Sequence, residues 1–436
     1  MPVSRRAAWL LCSALLLLAT AFRAYLLRTV FANVDSDQAV LGIMAYHIQA
    51  GERPIFYYGQ PYTGSLEAYA AAILFHLFGA SDWTLRLPAL ACSVAFVGAV
   101  YGLGARLYGY RIAVLAALVL ALGPAILINW STAAGANWSE VMLLGTALLW
   151  LAVRYPDLRV LPPPAALALG LLAGLGLWIQ PLSIEYLVPV AVAYAAAWRS
   201  GQSGPAPTRA GPRRATSAEA SPALDTPTVP RQRLRLTLAT IAAGMAVGAF
   251  PLLLYNVQHG CATVLYLVRG AASGDHLAVA IRMVTQSLPI LLGLAVPVAD
   301  GEQASVFAAQ VAQHPLPYAA GVVLGLYILG RLVVGPRGLA PRITALWRRP
   351  LRPASRCAAG TSCDGVLALF TLSCLLFFVG SHFGAVYLAT VKPYYLLPLY
   401  TATPLVLDVL RTRPARRRSL CVVVPATAAL VVVGTA

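Results

Sequence analysis

The sequence predicts an all-α polytopic membrane protein: a bundle of about eleven transmembrane helices with juxtamembrane helices in the first extracytoplasmic loop. Three observations carry that prediction. The 436 residues are 59% hydrophobic and 11% charged, with a mean hydropathy of +0.73, whereas a soluble domain carries about 25% charged residues. A chain this apolar cannot cover itself with polar surface, so lipid must be its solvent. Several apolar runs approach the roughly 20 residues that cross a bilayer. Finally, the arginines collect in short loops between those runs, which assigns the loops to the cytoplasm.

The formal net charge of +17 therefore reports topology. It does not point to nucleic acid, because no basic, aromatic-interleaved soluble module accompanies it. The seven cysteines form no framework. Cys12, Cys92, Cys374 and Cys421 lie in apolar runs, Cys357 and Cys363 in a cytoplasmic loop, and Cys261 stands alone outside. There is no CxxC or Cys/His metal spacing, so the sequence implies no cofactor and no metal.

The first span covers about Ala7 to Leu27. Arg5 and Arg6 hold its start in the cytoplasm, and the run reads as a retained anchor rather than a cleaved signal. The loop that follows is extracytoplasmic. Within it, Ser36 to Ala50 reads as a short amphipathic helix, with Val40, Met44, His47 and Ile48 at helical spacing. Asp35 or Ser36 can cap its start and Gly51 suits its stop. Leu66 to Phe78 is a second short apolar helix, interfacial or re-entrant rather than spanning. Spans two to six run at about Trp83–Leu103, Ile112–Ile128, Val141–Val153, Ala165–Ile179 and Tyr186–Trp198. They put Asn129 to Glu140 and the Gln180–Glu185 turn outside. Together these form an N-terminal catalytic module over residues 1–200, with its site in 30–80.

Residues 201–235 are rich in Pro, Ala, Ser and Arg and read as a disordered cytoplasmic linker. The C-terminal module, 236–436, holds a seventh span at about Leu236–Tyr255 and a re-entrant segment at Leu288–Val298. Spans follow at about Tyr318–Val334, Val366–Val379 and Tyr394–Leu410, and another begins near Leu420. Treating Leu288–Val298 as re-entrant keeps the arginine-rich loop at 337–356 inside.

This topology gathers the polar first loop, Glu140, Glu185 and Lys392 on the outer side. Asp35 and Asp37 stand at the mouth of a helix. Each can serve as a cap or dipole partner, or as a general base toward an acceptor hydroxyl. Tyr57, Tyr58, Gln60 and Tyr62 can stack on a sugar ring and read its hydroxyls, or form an interfacial aromatic belt. Glu67 opens the second short helix, as a dipole partner or as a ligand for a sugar hydroxyl or a metal. Lys392 is the only lysine in the chain. With Tyr394 beside it, it reads either as a snorkelling cation or as the partner of a phosphate leaving group. Arg86 is a second candidate for that phosphate. The two Asn-Trp-Ser strings at Asn129 and Asn137 match a glycosylation acceptor pattern but lie too close to the membrane to serve as one.

The string DSDQAV, then GERPIFYYGQPYTGSLEAY, then LFG and LRLPAL, resembles bacterial membrane glycosyltransferases of the GT-C superfamily. The resemblance is to those described as family 39 or dolichyl-phosphate-mannose–protein mannosyltransferase-like, and it spans residues 30 to about 155. In that family an acid pair, usually Asp-Glu, follows the first span, between two juxtamembrane helices. Asp37-Gln38 lines up with the pair, with Gln in place of Glu, so the resemblance gives Asp37 the catalytic-base role and leaves Asp35 as the near alternative. Lys392-Pro-Tyr-Tyr resembles the family's basic, Tyr-containing C-terminal segment. The resemblance implies inverting transfer of a sugar from a polyprenyl phosphate to a glycan, lipid or protein acceptor, at the outer face of a bacterial plasma membrane. A transporter or flippase of lipid-linked sugars is the rival reading. It would place ionisable groups inside the spans.

Overall fold

The computed structural model describes residues 4–202, 231–269, 276–295, 304–348, 364–380 and 393–411. Among them the chain is helical, with one isolated bridge between Phe56 and Gly64. The helices of the N-terminal half are α1 (Arg5–Thr29), α2 (Ser36–Gln49), α3 (Leu66–Phe78), α4 (Asp82–Tyr108), α5 (Tyr110–Ala121), α6 (Ala125–Thr132), α7 (Trp138–Arg154), α8 (Pro163–Ile179) and α9 (Ile184–Gln202). Those of the C-terminal half are α10 (Arg231–Gly248), α11 (Phe250–Gln258), α12 (Ala262–Arg269), α13 (His276–Arg282), α14 (Leu288–Leu291), α15 (Ala304–Gln313), α16 (Pro315–Val334), α17 (Leu339–Arg348), α18 (Gly365–Gly380) and α19 (Thr403–Leu410). Among the described residues four helical stretches are long and apolar enough to cross a membrane unaided, and up to six if each of two bent pairs counts as one. The protein is an integral membrane protein.

Two spans expected to be straight are broken. α5 and α6 meet at 73°, because Gly123-Pro124 interrupts the apolar run and Pro124 has no N–H to continue the ladder. α10 and α11 meet at 65°, again at a proline, Pro251. The expected helix from Tyr394 is also different in kind. Pro393–Ala402 is a 3₁₀ helix, tighter than α, and only α19 completes the span as α-helix. Helix also invades both ends of the expected linker: α9 runs through Gln202 and α10 begins at Arg231. The rest of the linker, Lys392 and the span near Leu420 lie outside the described residues.

The first break exposes carbonyls that need partners. Arg23 of α1, wholly buried, supplies them. Its guanidinium donates to Leu120 O and Ala121 O at 3.0 Å and to Ser93 Oγ at 2.8 Å. A cation at a helix C-terminus meets the negative end of the dipole, so the charge inside the bundle is matched without a carboxylate.

The two halves are joined by glycines. Gly170 and Gly174 of α8 face Gly244 and Gly248 of α10. A Cβ on Gly170 would lie 2.1 Å from Ile241 O, and one on Gly248 would lie 2.5 Å from Leu171 O. Small residues four apart let two backbones touch, which is how helices associate where lipid removes the hydrophobic drive. The chain enters the segment read as re-entrant, Leu288–Val298, through α13 and a π turn at Met283–Ser287, and α14 opens that segment; residues 296–298 lie outside the described ones. The chain turns at Gly293, whose φ of +73° suits glycine. Leu288 packs on Gly325, and Pro289 and Leu294 both pack on Gly321, a turn earlier on α16.

Candidate functional site

The site is built on the first loop. Asp35 caps α2: its carboxylate accepts from Gln38 N at 2.9 Å and from Gln38 Nε2 at 3.1 Å. That fixes the start of the helix and places Asp37 in the exposed first turn. Gly51, at φ +108°, ends the helix as expected. The buried stripe of α2 is Gln38, Leu41, Met44 and Ala45; of the expected Val40, Met44, His47 and Ile48, Met44 is buried, Val40 and Ile48 pack half-buried against the same cluster, and His47 is exposed. α2 packs on Ala68, Ala71, Ala72 and Phe75 of α3 and on Leu85 of α4. Its inner face is thus set by helix packing, while His47 turns outward.

Between α2 and α3 the chain folds back as a tight turn. Tyr57 N donates to Thr63 O at 2.7 Å, and Gln60 N to Tyr57 O at 3.0 Å, with Gly59 at φ +78°. Gly64 pins this turn to the end of α8. Its N–H reaches Ile179 O at 2.9 Å, and a Cβ there would lie 2.8 Å from Trp178 O. Asn137 Nδ2 ties the same place to the start of α7, donating to Gly64 O at 2.8 Å and to Ile179 O at 3.3 Å. Asn137 is buried with a left-handed backbone, so it is a structural staple and no acceptor for glycosylation.

These anchors leave a cavity of ≈ 220 Å³. Asp37, Tyr57, Gln60, Tyr62 and Thr63 line it from the first loop, and Trp130, Gly135, Ala136 and Trp138 from the second. Gln180, Pro181 and Leu182 close it from the α8–α9 turn, and Phe377, Tyr394 and Tyr395 from the C-terminal half. Opposite Asp37 stands an aromatic group. Trp130 and Tyr394 have ring centroids 4.2 Å apart, Trp138 and Tyr394 5.5 Å, and Tyr395 meets Trp138 edge-on at 5.5 Å. Tyr57 does not face the cavity with its hydroxyl, which donates to Asp37 O at 2.7 Å. Burial, then the charges of Asp37, Asp35 and Glu67, raise that phenol well above its ordinary range. It acts as a fixed donor and steadies the turn that bears Asp37. Tyr62 stacks on Tyr266 at 4.9 Å and 19°, which brings α12 to the rim.

The remaining candidates are placed elsewhere. Tyr58 points away from the cavity, its hydroxyl donating to Glu52 Oε2 at 2.5 Å and lying 2.9 Å from His47 Nδ1. Arg86, the second phosphate candidate, is engaged by the first loop. Its guanidinium donates to Gln38 Oε1 and Phe31 O, both at 2.7 Å, and closely to Asn33 O. Glu67 does not line the cavity. It sits behind it, buried, accepting from Gly135 N at 2.8 Å. Glu140 and Glu185 are likewise buried. Among the described residues no three His, Cys, Asp or Glu side chains form a group that could hold a metal ion.

What the sequence reading missed is Trp130 and Trp138. Their signal was the repeated Asn-Trp-Ser string, read for its asparagines rather than its indoles. A second cavity of ≈ 270 Å³ was missed too. It is almost wholly apolar, lies against Leu118, Pro124, Leu288, Leu375, Leu396 and Leu399 among others, and is reached through the same 3₁₀ helix and α18.

Residues 64–204 match the family model described as dolichyl-phosphate-mannose-protein mannosyltransferase. A crystal structure of ArnT from Cupriavidus metallidurans bound to undecaprenyl phosphate shares the fold. It aligns over 87% of this chain and 57% of that one, at 14% identity and a TM-score of 0.50. The archaeal oligosaccharyltransferase AglB from Archaeoglobus fulgidus, solved with an inhibitory peptide and a dolichol-phosphate, aligns over 97% of this chain and 54% of that one, at 16% identity and a TM-score of 0.43. The chain thus spans little more than half the length of either solved protein. No curated protein sequence matches it significantly.

Proposed function

We propose that this chain is an integral-membrane glycosyltransferase that moves a sugar from a polyprenyl phosphate to an acceptor hydroxyl of a glycan, lipid or protein, with inversion. The observation that carries the reading is the meeting of Asp37 with an aromatic and amide cavity beside an apolar one. The matched family description names a dolichyl-phosphate donor, and the ArnT structure holds undecaprenyl phosphate. Both are polyprenyl phosphates, which supports the donor class.

In this reading Asp37 takes the proton of the acceptor hydroxyl as its oxygen attacks the anomeric carbon. The bond from that carbon to the phosphate oxygen breaks, and polyprenyl phosphate leaves with the electron pair. The Trp130, Trp138 and Tyr394 rings take the apolar face of the sugar. Gln60, Thr63 and Gln180 offer hydrogen bonds to its hydroxyls. The apolar cavity takes the first isoprene units. Lys392, immediately before the 3₁₀ helix in sequence, neutralises the departing phosphate, which then needs no general acid. The cavity faces outside, as the arginine pattern orients the chain, in a bacterial plasma membrane.

The test is transfer by the purified protein in nanodiscs, using labelled lipid-linked sugars. Asp37→Asn should lower the rate by about 10²–10⁴-fold, the usual worth of a general base, without loss of folded protein. Near-normal transfer by that variant would remove the mechanism.

A further inference from the structure

The cavity wall next to Asp37 is Gly135, and Gly135 is held from behind by Glu67. A Cβ on Gly135 would lie 3.4 Å from Asp37 O and 3.5 Å from Tyr57 Cε2, and its φ is +98°. The position of this backbone therefore sets the floor on which Asp37 and Tyr57 rest. Its N–H donates to Glu67 Oε2 at 2.8 Å. Glu67 is 2% exposed, and its other oxygen, Oε1, has no hydrogen-bond partner among the described residues. Glu140 of α7, buried too, is the charged group that acts on it. Glu140 already accepts from Ser139 Oγ at 2.9 Å and is bonded by the Cys92 thiol of α4. Among the described residues no cation pairs with either acid.

Two buried carboxylates without a cation cannot both be ionised at modest cost. A buried carboxyl oxygen with no donor facing it is less costly when it carries a proton and donates than when it is a bare acceptor. We propose that Glu67 is a positioning residue that works as a neutral carboxyl. One oxygen accepts from Gly135, the other donates its proton toward Glu140, and together they fix the 133–137 turn against Asp37. Burial, then the neighbouring Glu140 charge, favour the protonated form and outweigh the backbone N–H groups of Gly135 and Asn137, which favour the charged one. The titratable groups around it are Glu140, Cys92 and Tyr57, on three different elements. The inference deepens the proposed function and rests on it for its activity readout alone.

The experiment compares wild type with E67A, E67Q and D37N in nanodiscs, reading transfer and thermal unfolding against pH. E67A should lose transfer by about tenfold or more, since the turn beside the base is released. E67Q keeps an acceptor for Gly135 and a donor for Glu140, so it should recover most of that loss. Wild-type activity should fall on the alkaline side as the proton leaves, and E67Q should lack that limb. The wild-type unfolding midpoint should fall relative to that of E67Q as pH rises above the ordinary carboxylate value of 4.5, because the folded form keeps a proton that the unfolded chain has lost. If E67Q is as inactive as E67A, or if the two midpoints run parallel with pH, the neutral carboxyl is wrong. If wild type and D37N are equally inactive with every lipid-linked sugar, the glycosyltransferase reading fails. The midpoint comparison still decides the state of Glu67.

Discussion

Asp35 and Asp37 are two positions apart and have different roles. Asp35 makes both bonds of a helix start, to Gln38 N and Gln38 Nε2. Asn keeps an acceptor for Gln38 N but turns a donor toward Gln38 Nε2, so Asp35→Asn should cost less than the about 1 kcal/mol of Asp35→Ala and leave transfer close to wild type. Asp37 makes no cap and lines the cavity, so its Asn variant should lose transfer and keep its unfolding midpoint. The pair of variants, assayed side by side, separates the helix cap from the proposed base. Two arginines show the same contrast between placement and expectation. Arg86 was a phosphate candidate because it sits at an outer helix end, yet three carbonyl or amide oxygens of residues 31–38 take its protons. Arg23 drew no attention inside an apolar run, yet it closes the broken end of α5. Arg23→Ala leaves the Leu120 and Ala121 carbonyls buried without donors and should destabilise the protein by at least about 2–3 kcal/mol. Thermal unfolding in detergent would measure it.

At the scale of elements, the composition of a span reveals that it is apolar and conceals which side faces protein. In water the polar face marks the outside, but in lipid both faces of a helix are apolar. That is why the stripe drawn on α2 took in the exposed His47 and passed over Gln38, Leu41 and Ala45, while the helix, its Asp cap and its Gly51 stop were legible. The cap and stop depend on local backbone chemistry that the sequence states directly. The breaks at Gly123-Pro124 and Phe250-Pro251 were written in the proline, but hydropathy alone runs smoothly through them. The contact between α8 and α10 was also written, as Gly170, Gly174, Gly244 and Gly248, and only a partner helix gives that spacing its meaning. Gly174→Leu should be severe, because its Cβ would lie 2.2 Å from Met245 O, backbone that cannot move aside. The expected result is loss of folded protein, or a penalty at or above the upper end of the roughly 1–3 kcal/mol usual for overpacking. Gly330→Leu meets nothing within 4 Å and should be tolerated. Yield and monodispersity in detergent would compare them.

On the scale of the molecule, the cavity belongs to neither half. The first loop supplies Asp37, and α18 and the 3₁₀ helix supply Phe377 and Tyr394. The far ends of these elements are tied together as well. Arg342 of α17 donates to Asp364 before α18, to Asp408 of α19 at 2.6 Å, and to Tyr108 Oη at the end of α4 at 3.3 Å. The arginine-rich composition of 337–356 placed this region inside but gave no sign that one of its arginines would be buried. The two acids that bury it are distant in sequence, and neither is remarkable alone. Burial first raises the Asp364 carboxyl to about 6 although Arg342 pulls it down and Asp408 pushes it further up. A folded value above the ordinary 3.8 means the folded protein holds the extra proton. The resulting stabilisation is complete below about pH 4 and is lost as pH rises through about 6, a change of about 2–3 kcal/mol. Asp364→Asn should remove that slope, so its midpoint should gain on wild type between those pH values and run parallel above them. Arg342→Ala should act at every pH. It strands Asp364 and Asp408 beside each other, at a cost of about 3–5 kcal/mol for a broken buried pair. Because α18 and the 3₁₀ helix that leads into α19 carry the C-terminal wall of the cavity, it should also weaken transfer with Asp37 intact. A fall in midpoint with transfer unchanged would mean that the tie at this end holds the halves together without setting the site.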